Sequence, residues 1–225
     1  GDMVATVAGD GSLVSRVVAQ WRLTQGCSGS IRNVTLTHQV KDVHWTVCNG
    51  LVLLKVEGGA WNITSSNLVA LRGDAMQCVV GADVSAAHCL IGGLGPDHER
   101  ACNGVEVCYK SRVRLRECSL AHTGFYEVGV AINAHHAATV EVSGCTFEAH
   151  CRVLGFATAA HLSLSDCLIK SPEMSVLHSI RPSKEYPSSI REKLDRAPAW
   201  REIHAKLDAE NAAGRLVMRR CRVHL

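Results

Sequence analysis

The sequence predicts an all-β fold, a single-stranded right-handed parallel β-helix of about seven coils. A pattern of alternating apolar residues that ends in cysteine recurs along the chain, in most places every 22 to 29 residues. The alternation has a period of two, which is typical of strands that bury one face. Apolar residues make up 47% of the chain and aromatic residues only 4%, which suits thin, closely stacked sheets of small aliphatic side chains.

The cysteine repeat is the element that carries this prediction. Its clear copies cover residues 84–91, 113–120, 140–147, 162–169 and 216–223. Residues 61–68 fit with Ser66 in the cysteine place, and residues 34–39 form a weaker copy with Gln39 there. Because stacked coils bury equivalent positions in one column, we expect the repeat cysteines to form a structural ladder inside the solenoid or at its corner. The predicted ladder residues are Cys89, Cys118, Cys145, Cys167 and Cys221.

A second, glycine-containing strand precedes three of the copies. We expect these strands at residues 103–107, 128–132 and 152–156. Each coil then consists of this strand, a short turn, the strand of the repeat, a corner at cysteine, a short third strand and a loop.

The run of residues 103–120 resembles the parallel β-helix repeat of the pectate-lyase-like superfamily, in which small polar or cysteine residues stack at the corner. The resemblance covers residues 31–171 and 215–225, and we interpret residues 1–225 as a single β-helix domain. A leucine-rich repeat would need a Leu/Asn ladder that is missing here. An up-and-down β-sandwich would need tight turns such as Asn-Gly between regular strand pairs, and the two Asn-Gly pairs of the chain do not lie there.

The interval between Cys167 and Cys221 is twice the usual length, which predicts an insertion at residues 172–214. Ser189 to Glu192 reads as a helix-capping box, and Gly214 is a plausible helix stop. Trp200 begins an apolar stripe that continues at Ile203 and Leu207. We therefore expect a short α-helical insertion before the last coil. Its apolar stripe either packs on the solenoid wall or binds a partner.

The eleven cysteines bear on the compartment of the protein. Their number is odd, and the sequence shows no signal peptide and no apolar run long enough to span a membrane. These observations favour free, buried thiols and an intracellular protein that is cytoplasmic, cytoskeletal or nuclear, without a membrane partner.

Catalytic and metal sites are not predicted. In the outward positions of the repeat no two carboxylates stack, and Asp83 and Asp166 fall at turns, where aspartate usually serves the backbone. No CxxC pair exists, which argues against a structural zinc site. We therefore expect no enzyme, no metal and no cofactor.

The predicted function is a non-enzymatic, intracellular protein-interaction scaffold with a protein partner of unknown identity. The resemblance supports this prediction, since adaptor proteins carry similar β-helices as interaction domains. The candidate partner-binding residues are Arg112, Arg114, Arg116 and Trp200. Few aromatic residues and intervening acidic residues argue against a nucleic-acid partner, and a net charge of +3 is too weak to require one. The alternative is a carbohydrate-binding or polysaccharide-cleaving β-helix.

Overall fold

The computed structural model describes most of the solenoid. The described residues are 3–8, 16–18, 21–24, 26–37, 52–70, 73–93, 103–123, 130–149, 153–156, 160–170, 178–179 and 214–224. Their regular secondary structure consists of 23 β-strands without a helix, which confirms the predicted all-β fold class.

The strands follow one another along the chain in the order in which the coils are wound. They are β1 (Met3–Ala8), β2 (Arg16–Val18), β3 (Trp21–Leu23), β4 (Cys27–Arg32), β5 (Thr35–Thr37), β6 (Val52–Glu57), β7 (Ala60–Thr64), β8 (Asn67–Val69), β9 (Asp74–Val79), β10 (Asp83–Ala87), β11 (Leu90–Gly92), β12 (Val105–Val107), β13 (Arg112–Arg116), β14 (Ser119–Thr123), β15 (Ile132–Ala134), β16 (Thr139–Ser143), β17 (Thr146–Ala149), β18 (Leu154–Phe156), β19 (His161–Ser165), β20 (Leu168–Lys170), β21 (His178–Ser179), β22 (Arg215–Arg219) and β23 (Arg222–His224).

Every third strand joins the same sheet, and the strands pair in parallel throughout. The first sheet has the order β1-β4-β7-β10-β13-β16-β19-β22, and the second has the order β2-β5-β8-β11-β14-β17-β20-β23. The third sheet has the order β21-β18-β15-β12-β9-β6-β3. A chain that visits three parallel sheets in turn forms a parallel β-helix. The first sheet contains eight strands, one from each of eight coils. This is one more than the seven copies found in the sequence, because β1 precedes the first copy.

The core lies between the three sheets and is built from columns of equivalent residues. Leu115 pairs with Val142, and Val142 pairs with Leu164, on three successive coils. All three side chains are buried, as their shared place in the repeat predicts. Their neighbours Arg114 and Glu141 alternate with them and lie on the outer face of the first sheet.

The structure corrects the predicted register of the weakest copy of the repeat. Asn67 donates its backbone N–H to the carbonyl of Val34, just as Ser119 donates to Cys89 two corners later in the stack. The corner of this coil therefore lies at Val34, five residues before the predicted position. The apolar alternation from Val34 onward misleads because it begins at the corner instead of in the preceding strand.

Among the described residues, the glycine-containing strands begin later than predicted. The structure places them at Val105–Val107, Ile132–Ala134 and Leu154–Phe156, so Gly104 precedes its strand. At Gly104 an added Cβ would lie 2.6 Å from the carbonyl oxygen of Ala131. The close approach of two coils, and not the strand itself, explains this glycine.

Little of the predicted insertion falls within the described residues. Strand β21 lies inside the range 172–214 and continues the third sheet by pairing with β18. The predicted helices and Trp200 lie outside the described residues, and the assignment of residues 1–225 to one domain stays a prediction. In the part of the chain that is described, no helix is long and apolar enough to cross a membrane.

Candidate functional site

The cysteine ladder lies at the corner between the first and second sheets. Cys89, Cys118, Cys145 and Cys167 are buried, and Cys221 in the last coil is half-buried. Each of the five thiols donates a hydrogen bond to the carbonyl oxygen two residues earlier, over 3.2 to 3.5 Å. Ser66 makes the same bond through its hydroxyl over 2.8 Å, which explains why serine replaces cysteine in this place.

The ladder side chains also accept a hydrogen bond from a backbone N–H group that has no backbone acceptor. In the corners that lie between two described coils, the residue before a ladder residue donates its N–H to the next coil, and the residue after it donates to the previous coil. The ladder residue's own N–H has no backbone acceptor there. The N–H of Cys118 donates instead to Sγ of Cys145 over 3.3 Å, and that of Val34 donates to Oγ of Ser66 over 3.3 Å. Each of these side chains therefore completes the corner of the preceding coil.

A column of residues in the left-handed backbone conformation precedes the ladder. Their φ angles lie between 48° and 62°. The column consists of Asn33, Ser65, His88, Glu117, Gly144, Asp166 and Arg220. Such a φ costs about 1–2 kcal/mol for a residue with a Cβ, and the interstrand hydrogen bonds of the corner offset this cost. Along this edge Nδ1 of His88 lies 3.3 Å from Oε2 of Glu117, and an ion pair connects Arg220 with Asp166 over 2.6 Å.

Three of the buried ladder thiols have a pKa above the usual range of cysteine. They are free thiols in the structure. The adjacent Cys118 thiol and burial both raise the pKa of Cys145, and the same two causes raise the pKa of Cys89. Burial raises the pKa of Cys167 to about 11. Hydrogen bonds with the Cys145 and Cys89 thiols lower the pKa of Cys118, which is itself buried. Since the thiolate is the reactive form, the raised pKa values disfavour Cys89, Cys145 and Cys167 as nucleophiles.

The three candidate arginines of strand β13 differ in their surroundings. The guanidinium of Arg114 lies 3.0 Å from Oδ1 of Asp83 and donates to Oγ of Ser85 over 2.9 Å. Arg112 is exposed, and the side chain of Arg116 is 65% exposed, with Nε 3.9 Å from Oε1 of Glu117. Arg112 and Arg116 are thus available to a partner, whereas Arg114 is already neutralised by the previous coil. The fourth candidate, Trp200, lies outside the described residues.

The third sheet carries a polar cluster that the sequence analysis missed. Asp74 and Glu106 come from the adjacent strands β9 and β12, and their carboxyl groups are hydrogen-bonded to each other. Asn103 donates both its backbone N–H and its side-chain amide to Oδ1 of Asp74, over 3.1 and 2.9 Å. The expectation that no two carboxylates stack concerned the outward positions of the first sheet, and it did not extend to the third sheet, where this pair lies.

Two further side chains bind Glu106 from the neighbouring coils. Gln77 donates to its Oε2, and Nε2 of His135 lies 3.1 Å from its Oε1. The ring of His135 contacts the ring of His136, which stacks on Tyr109 with 4.8 Å between the ring centroids. One signal was available: Gln77, Glu106 and Asn133 share one register position on strands β9, β12 and β15.

The cluster shifts the pKa values of its two carboxyl groups in opposite directions. Burial and the nearby Glu106 raise the pKa of Asp74 well above its usual range, so Asp74 holds the proton of the pair. Burial opposes the ionisation of Glu106, but hydrogen bonds from His135 and Gln77 outweigh it and lower the pKa of Glu106 to about 2. A neutral acid beside an ionised one is an arrangement that acid–base catalysis also uses.

The contact between the two carboxyl groups limits what the cluster can do. Glycoside hydrolysis needs carboxyl groups that are about 5 Å or more apart, with room for a sugar carbon or a water molecule between them. Asp74 and Glu106 touch each other instead, and Asp74 is buried. Among the described residues there is no group of three or more His, Cys, Asp or Glu side chains that could hold a metal ion.

Comparison with known proteins adds no assignment to this geometry. No protein-family model matches the chain, and neither a curated protein nor a solved structure is significantly similar to it.

Proposed function

We propose that the chain is a non-enzymatic protein-interaction scaffold that binds its partner on the outer face of the first sheet. The observation that carries the proposal is the exposure of Arg112 and Arg116 on strand β13, in the interior of an eight-stranded sheet. Arginine is among the residues enriched in binding hot spots.

The rigidity of the solenoid supports this role. The strands on both sides of β13 pair with it residue by residue over its full length, so the backbone beneath the arginines is fixed on two sides. A surface that is ordered before binding loses little conformational entropy when a partner docks. Long rigid surfaces of this kind are what repeat proteins use for recognition.

The proposal places the protein inside the cell, in the cytoplasm, the cytoskeleton or the nucleus. The free thiols of the ladder support a reducing compartment. Trp200 in the proposed helical insertion at residues 172–214 has two candidate roles, as an anchor of that insertion or as a second contact with the partner. The variant Trp200→Ala separates them, because loss of an anchor lowers the melting temperature, whereas loss of a contact weakens capture of the partner by a folded protein.

The carbohydrate alternative has one observation in its favour, the acid pair of Asp74 and Glu106 on the third sheet. The direct contact between the two carboxyl groups weighs against cleavage of a glycosidic bond at this place. The interaction scaffold is therefore the better-supported function.

Affinity purification with matched variants tests the scaffold proposal. The double variant Arg112→Glu/Arg116→Glu is compared with the wild-type chain and with Arg222→Glu, which reverses an exposed charge on the second sheet. We expect a protein that co-purifies with wild type and with Arg222→Glu to be lost from the double variant, in a salt-sensitive manner. Equal recovery with all three chains would contradict binding at this face.

A further inference from the structure

Strands β13 and β22 carry arginines at the same two register positions of the first sheet. Arg112 is connected through Thr139 and His161 to Arg215 in one column of paired residues. Arg116 is connected through Ser143 and Ser165 to Arg219 in a second column. The four arginines Arg112, Arg116, Arg215 and Arg219 thus mark the corners of a rectangle, which we call the arginine frame.

The frame has nearly equal sides. Three interstrand steps of about 4.8 Å separate β13 from β22, which gives about 14 Å along the solenoid. Four residues at about 3.3 Å each separate the two arginines on one strand, which gives about 13 Å across it. All four side chains are exposed. Three of them form no ion pair with any described residue, and the fourth, Arg116, has only the long contact with Glu117.

The surface inside the frame is shallow and lightly charged. Strands β16 and β19 contribute the small polar side chains of Thr139, Ser143, Ser163 and Ser165 to it, together with the exposed ring of His161. Glu141 stands exposed near its centre, beside Arg114, which Asp83 neutralises. The frame therefore presents four arginine side chains at its corners and one glutamate side chain near its centre to a partner.

We propose that the arginine frame binds an extended acidic polypeptide segment whose carboxylates are spaced four residues apart. This assignment rests on the proposed function and names the chemistry of its partner. An extended chain advances about 3.3 Å per residue, so side chains four positions apart are about 13 Å apart and reach two corners of the frame together. A segment that follows the edge from Arg112 to Arg116 lies beside Glu141 and not over it, because Glu141 is on the next strand, opposite Arg114.

A polypeptide fits the frame better than a nucleic acid does. Phosphates follow one another closely along a nucleic-acid strand, so a strand crossing the frame would bring phosphate next to Glu141, and like charges in contact oppose binding. Strands β13, β16, β19 and β22 present no Phe, Tyr or Trp side chain on which a base could stack.

A fluorescence-anisotropy titration of the full 225-residue chain tests the assignment. The probe is a labelled peptide of serine and glycine with glutamate at every fourth position, and the control peptide carries glutamine in those positions. The variants are Arg112→Glu and Arg215→Glu, at opposite ends of one column. The matched control is Arg222→Glu, which makes the same charge change on the second sheet of the last coil.

We expect the glutamate peptide to bind and each frame variant to weaken it by about tenfold, since one well-formed charge contact is worth roughly that factor. Arg222→Glu leaves binding within about twofold, because its guanidinium lies on another face and acts only through screened long-range charge. Added salt weakens the wild-type complex, and the glutamine peptide does not bind.

Several outcomes would overturn the assignment: equal binding of both peptides, equal loss with Arg222→Glu, or tighter binding of duplex DNA than of the glutamate peptide. A protein partner that needs Arg112 and Arg116, without any peptide binding, would also overturn it but would leave the scaffold proposal standing. Peptide binding that depends on the frame, without any such partner, would support the acidic-segment assignment and contradict the scaffold proposal.

Discussion

Replacing Cys145 tests whether the ladder acts through hydrogen bonds or through volume. Its Sγ donates to the carbonyl oxygen of Ser143 over 3.4 Å and accepts the buried N–H of Cys118 over 3.3 Å. Cys145→Ala removes both bonds. Cys145→Ser keeps a group that can donate and accept in the same place, as Ser66 does in another coil.

The expected magnitudes follow from those contacts. An unsatisfied buried N–H costs about 1–3 kcal/mol, and loss of a buried atom about the size of a methylene costs about 1 kcal/mol more. We therefore expect Cys145→Ala to lower the free energy of unfolding by about 2–4 kcal/mol. Cys145→Ser loses some apolar burial but no hydrogen bond, and we expect a cost of about 1 kcal/mol or less.

Cys78 supplies the matched control, because it is fully buried in the core and makes no side-chain hydrogen bond with the described residues. There the order reverses: Cys78→Ser buries an unpaired hydroxyl at a cost of about 1–3 kcal/mol, and Cys78→Ala costs about 1 kcal/mol. Urea unfolding followed by circular dichroism measures all four variants. The reasoning is refuted if serine is no better than alanine at position 145, or if the two positions show the same order.

Three further outcomes are expected. Leu115→Ala lowers the free energy of unfolding by about 2–5 kcal/mol in the same assay, because the side chain is buried between two coils; a change below about 1 kcal/mol would contradict the packing. Asp74 has a raised pKa in the folded state, so its contribution to stability is present below about pH 4 and is lost as the pH rises through that raised value. Asp74→Asn should remove this fall, and parallel pH profiles of unfolding for the two proteins would disprove the assignment of the proton. Denatured, unreduced protein should be alkylated at Cys118, Cys145 and Cys167 in a mass spectrum, whereas linked peptides would show disulfides.

The sequence was sufficient to predict the first sheet, for a physical reason. Its strands are five residues long in most coils, so apolar alternation repeats often enough to be recognised. The corner adds a fixed chemical requirement for a short donor, which cysteine or serine meets. Both signals are absent at Val34, whose side chain has no hydrogen-bond donor, and the register predicted there is wrong.

The polar cluster of the third sheet could not be found in the same way. Strands β12 and β15 have only three residues each, too few to show an alternation. Asp74, Glu106 and His135 lie about one coil apart in the chain and meet only when the coils are stacked. The same limit applies to Arg114, whose neutralisation depends on Asp83 lying opposite Arg112 in the preceding coil.

Because of the corner, the register between two strands does not depend on the number of residues in the coil that connects them. Strands β19 and β22 pair residue by residue from His161 with Arg215 to Ser165 with Arg219, although the interval between their ladder cysteines is twice that of other coils. The backbone hydrogen bonds of each corner align the following strand with the adjacent coil. The number of residues between two corners therefore does not affect the register. Segments of very different length can therefore be spliced into the loops over evolutionary time, each adding a new surface beside a face whose geometry does not change.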